Sequence, residues 1–317
     1  MKVVRDILAK PLEMKSPAVA LGTFDGLHRG HVAILDRLFE VAREAGAPQV
    51  AMTFDPHPQR VLAAESRAPL LLSTLDERLA RFEILGVDCV VVIPFDRDFS
   101  RWSAERFVDD VLLKHMSAGR IVVGYDHAFG HDRRGKTDML ISYLAPKGIE
   151  VDVVPPVKNG DGPVKSSRIR RFLAAGEVDM ANSLLGYEYS FTGTVVKGDG
   201  RGAKIGFPTA NLEVPKEKQL PSQAIYGATV HLGGSAHHGL VHLGPRPTLG
   251  ETKVRVEVHL LDFSARDLYG EQLTVTPEVV LRKVEAFSSL EALVAQLKKD
   301  RTQYNEYRNR KENARAS

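Results

Sequence analysis

Sulfur and aromatic bulk are scarce in this chain: its 317 residues hold one cysteine and one tryptophan, and aromatics make up 7%. A single cysteine excludes an intrachain disulfide, which fits a reducing compartment. Cys89 sits in the apolar run 87–93, where it reads as a small buried hydrophobe. No apolar run approaches the roughly 18 residues of a membrane span. The first residues alternate Lys2, Arg5, Asp6 and Lys10 with apolar ones and lack the apolar centre of a signal peptide. A strong excess of one charge is missing too, since the net charge is only +3. That argues against a nucleic-acid partner, because polyanion binders concentrate Lys and Arg on one face. With 43% hydrophobic and 26% charged residues, the chain reads as a globular cytoplasmic protein without a membrane partner, long enough for two domains.

What is present centres on one stretch, Leu21-Gly22-Thr23-Phe24-Asp25-Gly26-Leu27-His28-Arg29-Gly30-His31. A short apolar strand precedes it, and Val32, Leu35, Leu38, Phe39 and Val41 follow at helical spacing. The stretch is therefore a strand-to-helix turn with two histidines and two glycines where the helix begins. A helix N-terminus offers unpaired N–H groups and a partial positive charge. Glycine lets a phosphate approach the backbone, and imidazoles there can donate hydrogen bonds to it. The spacing does not suit zinc, which favours two histidines one turn apart with an acidic partner between them.

Apolar runs recur at 18–21, 50–54, 89–93, 121–123 and 151–154, with helical patterns at 30–46, 75–86, 103–117 and 135–146 between them. Thr74 and Glu77 have the spacing of a capping box. Val- and Ile-rich strands alternating with helices predict an α/β fold whose parallel sheet is covered on both faces. Ligands of such sheets sit beyond the carboxyl ends of the strands. Four chemically loaded turns open on that edge: the first motif, Thr53-Phe54-Asp55-Pro56-His57-Pro58, Gly124-Tyr125-Asp126-His127-Ala128-Phe129-Gly130, and the segment after Val154. The stretch 155–163 reads as a surface loop. Lys165-Ser166-Ser167-Arg168-Ile169-Arg170-Arg171 then opens a helix with hydroxyls and guanidiniums in its first turns, and Arg pairs with phosphate through its planar fork of donors. A last short helix, 178–185, ends at Gly186, where the domain boundary is placed: 1–186 and 187–317.

After Tyr187 the runs 191–196, 228–232, 238–243, 253–261 and 273–275 are short, β-rich and separated by Gly, Pro and Asp turns. This is the pattern of a small antiparallel barrel. A helix from Leu290 to about 308 follows, with a frayed polar tail expected from Asn309. The glycine-rich stretch 198–206 fits neither the P-loop nor the dinucleotide fingerprint, which leaves a backbone nest for phosphates. Oligonucleotide binding would call for aromatics interleaved with basic residues, and Phe191, Tyr226 and Phe263 are scattered.

His28-Arg29-Gly30-His31 resembles the His-x-Gly-His signature of the nucleotidyltransferase superfamily, and its Gly-Thr-Phe-Asp-Gly lead-in resembles the bacterial bifunctional riboflavin kinase/FMN adenylyltransferases (FAD synthetases). Gly206-Phe207-Pro208-Thr209-Ala210-Asn211 contains the Pro-Thr-Ala-Asn motif that riboflavin kinases place beside a glycine-rich loop. The similarity runs from about residue 16 to 300. It implies a Rossmann-like nucleotidyltransferase domain followed by a riboflavin-kinase barrel. The barrel would phosphorylate riboflavin from ATP to FMN, and the first domain would adenylylate FMN to FAD with release of pyrophosphate. The alternative is a nucleotidyltransferase for another phosphorylated substrate with a regulatory barrel.

The resemblance also assigns roles. His28 and His31 serve the polyphosphate of adenylyl transfer. Gly22, Phe24, Asp25, Asp126, Ser166, Ser167 and Arg170 contact the nucleotide or its phosphates there. Gly200, Gly202, Lys204 and Gly206 do so in the kinase. Thr209 and Asn211 offer hard oxygens to Mg²⁺, and Glu257, in the alternating strand Val256-Glu257-Val258-His259, is the general base. Three positions depart from the family pattern: His127 stands where Phe is usual, Lys165 where the first Ser of Ser-Ser-Thr would lie, and His242-Leu243-Gly244 replaces Asn-Ile-Gly.

Overall fold

A computed structural model describes residues 1–64, 67–160, 162–198, 200, 202, 206–245, 254–261, 263 and 266–316. The chain divides into two compact units, Met1–Ser166 and Ser167–Ser317. Among the described residues no helix is long and apolar enough to cross a membrane.

The first unit is built on strands β1 (Lys2–Val4), β2 (Ala18–Leu21), β3 (Gln49–Asp55), β4 (Cys89–Pro94) and β5 (Arg120–Gly124). Two short ribbon strands, β6 (Ala128–Phe129) and β7 (Gly135–Lys136), precede β8 (Glu150–Val154). The main sheet is parallel throughout, in the order β1-β4-β3-β2-β5-β8. Side chains alternate between its faces. Ala18 and Ala20 face the side packed with Leu35, Leu38 and Val41 of helix α1 (Arg29–Ala45) and with Phe82. Val19 and Leu21 face the opposite core, with Phe107, Val111 and Leu140. Both faces are thus covered, which is why the strands read as continuous apolar runs. The chain steps from β2 outward to β3 and β4, then returns to β5 on the other side of β2. That reversal makes the carboxyl ends of β2 and β5 the topological switch point.

Helix α1 is fixed on its outer side as well as its inner one. Arg37 donates to Asp152 Oδ1 from Nε at 2.8 Å and Nη2 at 2.6 Å, while Arg120 Nε donates to Asp152 Oδ2 at 2.7 Å. The turn after β3 leads through α2 (Pro58–Leu62) to α3 (Leu75–Ile84), whose Thr74–Glu77 capping box is formed as expected. The helix expected over 103–117 is different: α4 (Ala104–Arg106) passes into a π-helical stretch, Phe107–His115. Burial at 107, 108, 111 and 112 fits either winding, so residue spacing does not reveal it. Helix α5 (Thr137–Leu144) follows, and the expected loop 155–163 carries a two-stranded ribbon, β9 (Lys158–Asn159) with β10 (Gly162–Pro163).

The second unit begins with α6 (Ser166–Ala175), whose first residue counts with the first unit, and α7 (Val178–Leu185). The Leu173 carbonyl accepts from Ser222 N at 2.9 Å, and Asn182 Oδ1 accepts from Tyr189 N at 2.7 Å, so both helices are tied to the barrel's own loops. Strands β11 (Phe191–Val196), β12 (Ala210–Glu213), β13 (Ala224–Leu232), β14 (Ser235–Gly244), β15 (Arg255–Leu260) and β16 (Gln272–Lys283) close an antiparallel barrel in the order β11-β12-β15-β14-β13-β16. Helix α8 runs from Leu290 to Ala316, so the tail expected to fray at Asn309 is helical. Its end is held by Lys311, whose Nζ lies 2.9 Å from Glu278 Oε1 and 3.3 Å from Glu188 Oε1. Nearer its start, the fully buried Asp300 accepts from both Arg282 Nε and Gln296 Nε2.

Candidate active sites

At the carboxyl end of β2 the backbone takes unusual turns. Phe24 (φ 52°) and Leu27 (φ 36°) adopt left-handed conformations that L side chains avoid. Gly26 at φ 81° lies so close to Leu72 that a Cβ would fall 2.8 Å from its Cδ1. The reward of this geometry is the start of α1. His28 is the N-cap, and its Nδ1 accepts from His31 N at 3.3 Å. With Nδ1 an acceptor, a neutral His28 carries its proton on Nε2. The rings of His28 and His31 stack with centroids 3.7 Å apart and an interplanar angle of 11°. Gly30 permits this, since a Cβ there would stand 3.2 Å from the His28 ring. His31 also meets the edge of Phe24 at 5.3 Å, and its Nδ1 is buried with no partner among the described residues. Burial, with the nearby His28 and Arg78 acting the same way, pushes the His31 imidazole well below its ordinary pKa. At neutral pH the ring is uncharged.

Phe24 and Asp25 lie under the turn instead of on its surface. Phe24 is fully buried against Phe82. Asp25 is 2% exposed; its Oδ1 accepts from Ser73 N at 3.0 Å, while Gly26 N donates to Ser73 Oγ at 2.9 Å. Ser166 Oγ donates to the Asp25 carbonyl at 3.1 Å, which brings the start of α6 to the motif. Their common effect is to shape the turn. Gly22 packs against the Phe24 ring, 3.1 Å from where its Cβ would be. Beyond β5, Asp126 pairs with Lys165 at 3.2 Å, and the Tyr125 hydroxyl and Asp126 together raise the Lys165 ammonium above its usual pKa. His127 stacks on Phe129 with ring centroids 5.5 Å apart. Burial and the charge of Arg133 pull its imidazole down to about 4. Ser167 and Arg170 follow in α6, within the second compact unit.

Two features of this edge escape a reading of the sequence. Arg78 is 2% exposed and donates from Nη1 to the Thr23 carbonyl at 2.6 Å and to Thr53 Oγ1 at 2.9 Å. The signal was its register: it shares the apolar stripe Leu75, Leu79, Phe82 of α3. The second is a chain of rings: Phe54–Phe95 at 5.6 Å, Phe95–Phe99 at 5.7 Å, Phe99–Trp102 at 4.9 Å, Phe99–Phe107 at 6.3 Å and Phe107–Phe129 at 5.4 Å. The spacing of Phe95, Phe99, Trp102 and Phe107 in an aromatic-poor chain was the available clue.

In the barrel, register assembles the expected residues. Asn211 on β12 is the cross-strand partner of Glu257 on β15, which is in turn the partner of His242 on β14. Directly opposed residues share a face. Thr209, just before β12, and Asn211, within it, lie against the glycine-rich loop. A Cβ on Gly202 would strike the Phe207 carbonyl and come 3.2 Å from Thr209 Oγ1, and one on Gly198 would strike the Asn211 carboxamide. His259 Nδ1 lies 2.7 Å from the Pro208 carbonyl and buttresses the motif from β15, while His242 Nε2 lies 2.9 Å from the Pro245 carbonyl. Gly200 (φ 65°) and Gly206 (φ 79°) take left-handed turns in the loop; Lys204 lies outside the described residues. A cavity of about 260 Å³ opens beside Thr209, lined by Val195, Ala210, Val258, Phe263 and Tyr269. Val258 alternates with Glu257, so this cavity and the Asn211–Glu257–His242 row lie on opposite faces of β15.

Comparison with known proteins matches each half separately. The FAD synthetase family model covers residues 10–168 and the riboflavin kinase model residues 185–308. A bifunctional riboflavin kinase/FMN adenylyltransferase of Listeria monocytogenes is 35% identical over 283 residues, 89% of each chain. One of Escherichia coli strain K12 is 37% identical over 284 residues, 89% of this chain and 90% of that one. A crystal structure from Streptococcus pneumoniae, named a macrolide-efflux protein, superposes with a TM-score of 0.85 at 30% identity, covering 96% of this chain and 99% of that one. With both halves matched in order and relatives aligned almost end to end, the chain belongs to the bifunctional riboflavin kinase/FMN adenylyltransferase family.

Proposed function

We propose that this chain makes FAD from riboflavin in two ATP-dependent steps, in the cytoplasm, with residues 1–186 serving adenylyl transfer and 187–317 serving phosphorylation. Helices α6 and α7 then belong to the first activity by function while packing with the barrel's loops. The observation that carries the reading is a different constellation of polar side chains in each compact unit: the stacked imidazoles capping α1, and the Asn211–Glu257 pair across one ladder.

In the barrel, Glu257 takes the proton of the riboflavin 5′-hydroxyl as its oxygen attacks the γ-phosphorus of ATP, and ADP leaves. Thr209 and Asn211 fit Mg²⁺: both present hard oxygens beside a loop whose glycines leave room for phosphate. When bound there, Mg²⁺ neutralises phosphate charge. In the first unit an FMN phosphate oxygen attacks the α-phosphorus of a second ATP, and pyrophosphate leaves. That nucleophile is already charged, so no covalent residue is required. His28 and His31 hold the polyphosphate at the head of α1 and stabilise charge as it develops, joined by Ser166, Ser167 and Arg170. Phe54, Phe95 and Trp102, partly exposed and backed by the buried Phe99, Phe107 and Phe129, form the apolar edge on which the isoalloxazine rests.

Riboflavin, ATP and Mg²⁺ supplied to the purified protein should yield FMN and then FAD by chromatography. His31→Ala is expected to slow FAD formation from supplied FMN by about 100- to 1,000-fold, the usual cost of one preorganised donor, with FMN formation intact. Glu257→Gln should show the reverse pattern. Failure to produce FMN at all would favour a regulatory barrel, and equal loss of both activities in folded His31→Ala would refute the division of labour.

A further inference from the structure

We propose that Arg78 is a positioning residue for adenylyl transfer, acting through the turn it pins and through the fixed positive charge it holds beside His31. The inference rests on the reading of His28 and His31 as the polyphosphate site, and it concerns a residue that no motif includes.

Three observations support it. First, a guanidinium that is 2% exposed on the apolar stripe of a helix is costly unless it is used. Its partners are the Thr23 carbonyl and Thr53 Oγ1, and Thr53 Oγ1 itself donates to the Thr23 carbonyl at 2.9 Å. One carbonyl of the strained turn is therefore gripped twice, immediately before the left-handed Phe24. Second, Arg78 Nε is buried without a partner among the described residues, so the fork is not fully satisfied by the protein. Third, the charges influence one another. Asp25 and Asp55 act on Arg78, while Arg78 and His28 act on His31, with burial the largest influence on both. The ring of His31 thus stays neutral in the free protein, and an arriving polyphosphate meets a buried cation near enough to act on that imidazole.

Arg78→Gln and Arg78→Lys separate the grip from the charge. Both are assayed as full-length chains for FAD formation from supplied FMN, with FMN formation from riboflavin as the control for the barrel and the dispersion of the first unit's NMR resonances as the control for its folding. The His31 ring resonance, assigned by its disappearance in His31→Gln, is titrated by NMR. In Arg78→Gln, kcat for FAD formation should fall about 100-fold, the typical cost of an ångström-scale misplacement. The KM for FMN should change little, and His31 should titrate at higher pH than in the parent. In Arg78→Lys the titration should stay near the parent's while the rate remains at least about tenfold down, because an ammonium lacks the planar fork. A parent-like rate in either variant overturns the proposal. So does a fall in rate in Arg78→Gln with the His31 titration unmoved, which leaves only a structural role. If Arg78→Gln fails to fold, Arg78→Lys decides by its rate. Failure of the underlying site reading looks different: His31→Ala would then form FAD at the parent rate, and the proposal falls with it.

Discussion

His127 shows how one half-buried side chain couples pH to stability. Its imidazole is held near a pKa of about 4 by burial and Arg133, whereas an unfolded chain returns it to about 6.5. The unfolded state therefore binds the proton first as pH falls. Stability from this group is complete above about pH 6.5 and drains away between there and about 4. At pH 5 the loss amounts to roughly 2 kcal/mol. His31, shifted in the same direction, adds to it. Thermal melts should show Tm dropping from pH 7 to pH 5, with a shallower drop in His127→Phe, which keeps the stack on Phe129 but cannot titrate. An identical pH slope in the two proteins would show that this ring is not the sensor.

Among the elements, α8 carries a prediction of its own. Asp300 is fully buried and shared by Arg282 and Gln296, and Tyr304, also fully buried, donates to Glu278 Oε2 at 2.6 Å and fills the space a Cβ on Gly227 would need. Removing one member of a buried ion pair costs about 3–5 kcal/mol. Asp300→Ala should lower the urea midpoint of the barrel, and FMN formation should be lost on mild heating before FAD formation from supplied FMN. Loss of both activities at one temperature would argue that the two units unfold together. Elements of this kind divide cleanly by legibility. The strands β2, β3, β4 and β5 stand out in the sequence because buried parallel strands are continuous apolar runs, β8 stands out by its three valines although none is fully buried, and the His-x-Gly-His and Pro-Thr-Ala-Asn turns stand out because their residue types have few other uses. The edge strand Lys2–Val4 has three residues and no buried position, and β12 buries only Leu212, so neither offers a period to read. Arg78 looks like any surface arginine until the stripe beside it is buried. The pairing of Asn211 with Glu257 is written only in the barrel's register, across 46 residues of chain.

At the scale of the whole molecule, the proposed reading puts the two half-reactions on two compact units, and FMN made by one chain is then expected to serve another. Mixing His31→Ala with Glu257→Gln should restore FAD formation from riboflavin after a lag in which FMN accumulates, since each variant retains the half-reaction the other lacks. No FAD from the mixture, with both half-reactions intact, would mean that FMN must stay on the chain that made it. The facing of Asn211 and Glu257 has a last consequence. A slip of one residue between β12 and β15 would send one of the two side chains to the opposite face and part the pair. On the roles proposed for Asn211 and Glu257, alignment of two backbones acts as a single gate on both, and a misassembled barrel is expected to be inert instead of sluggish.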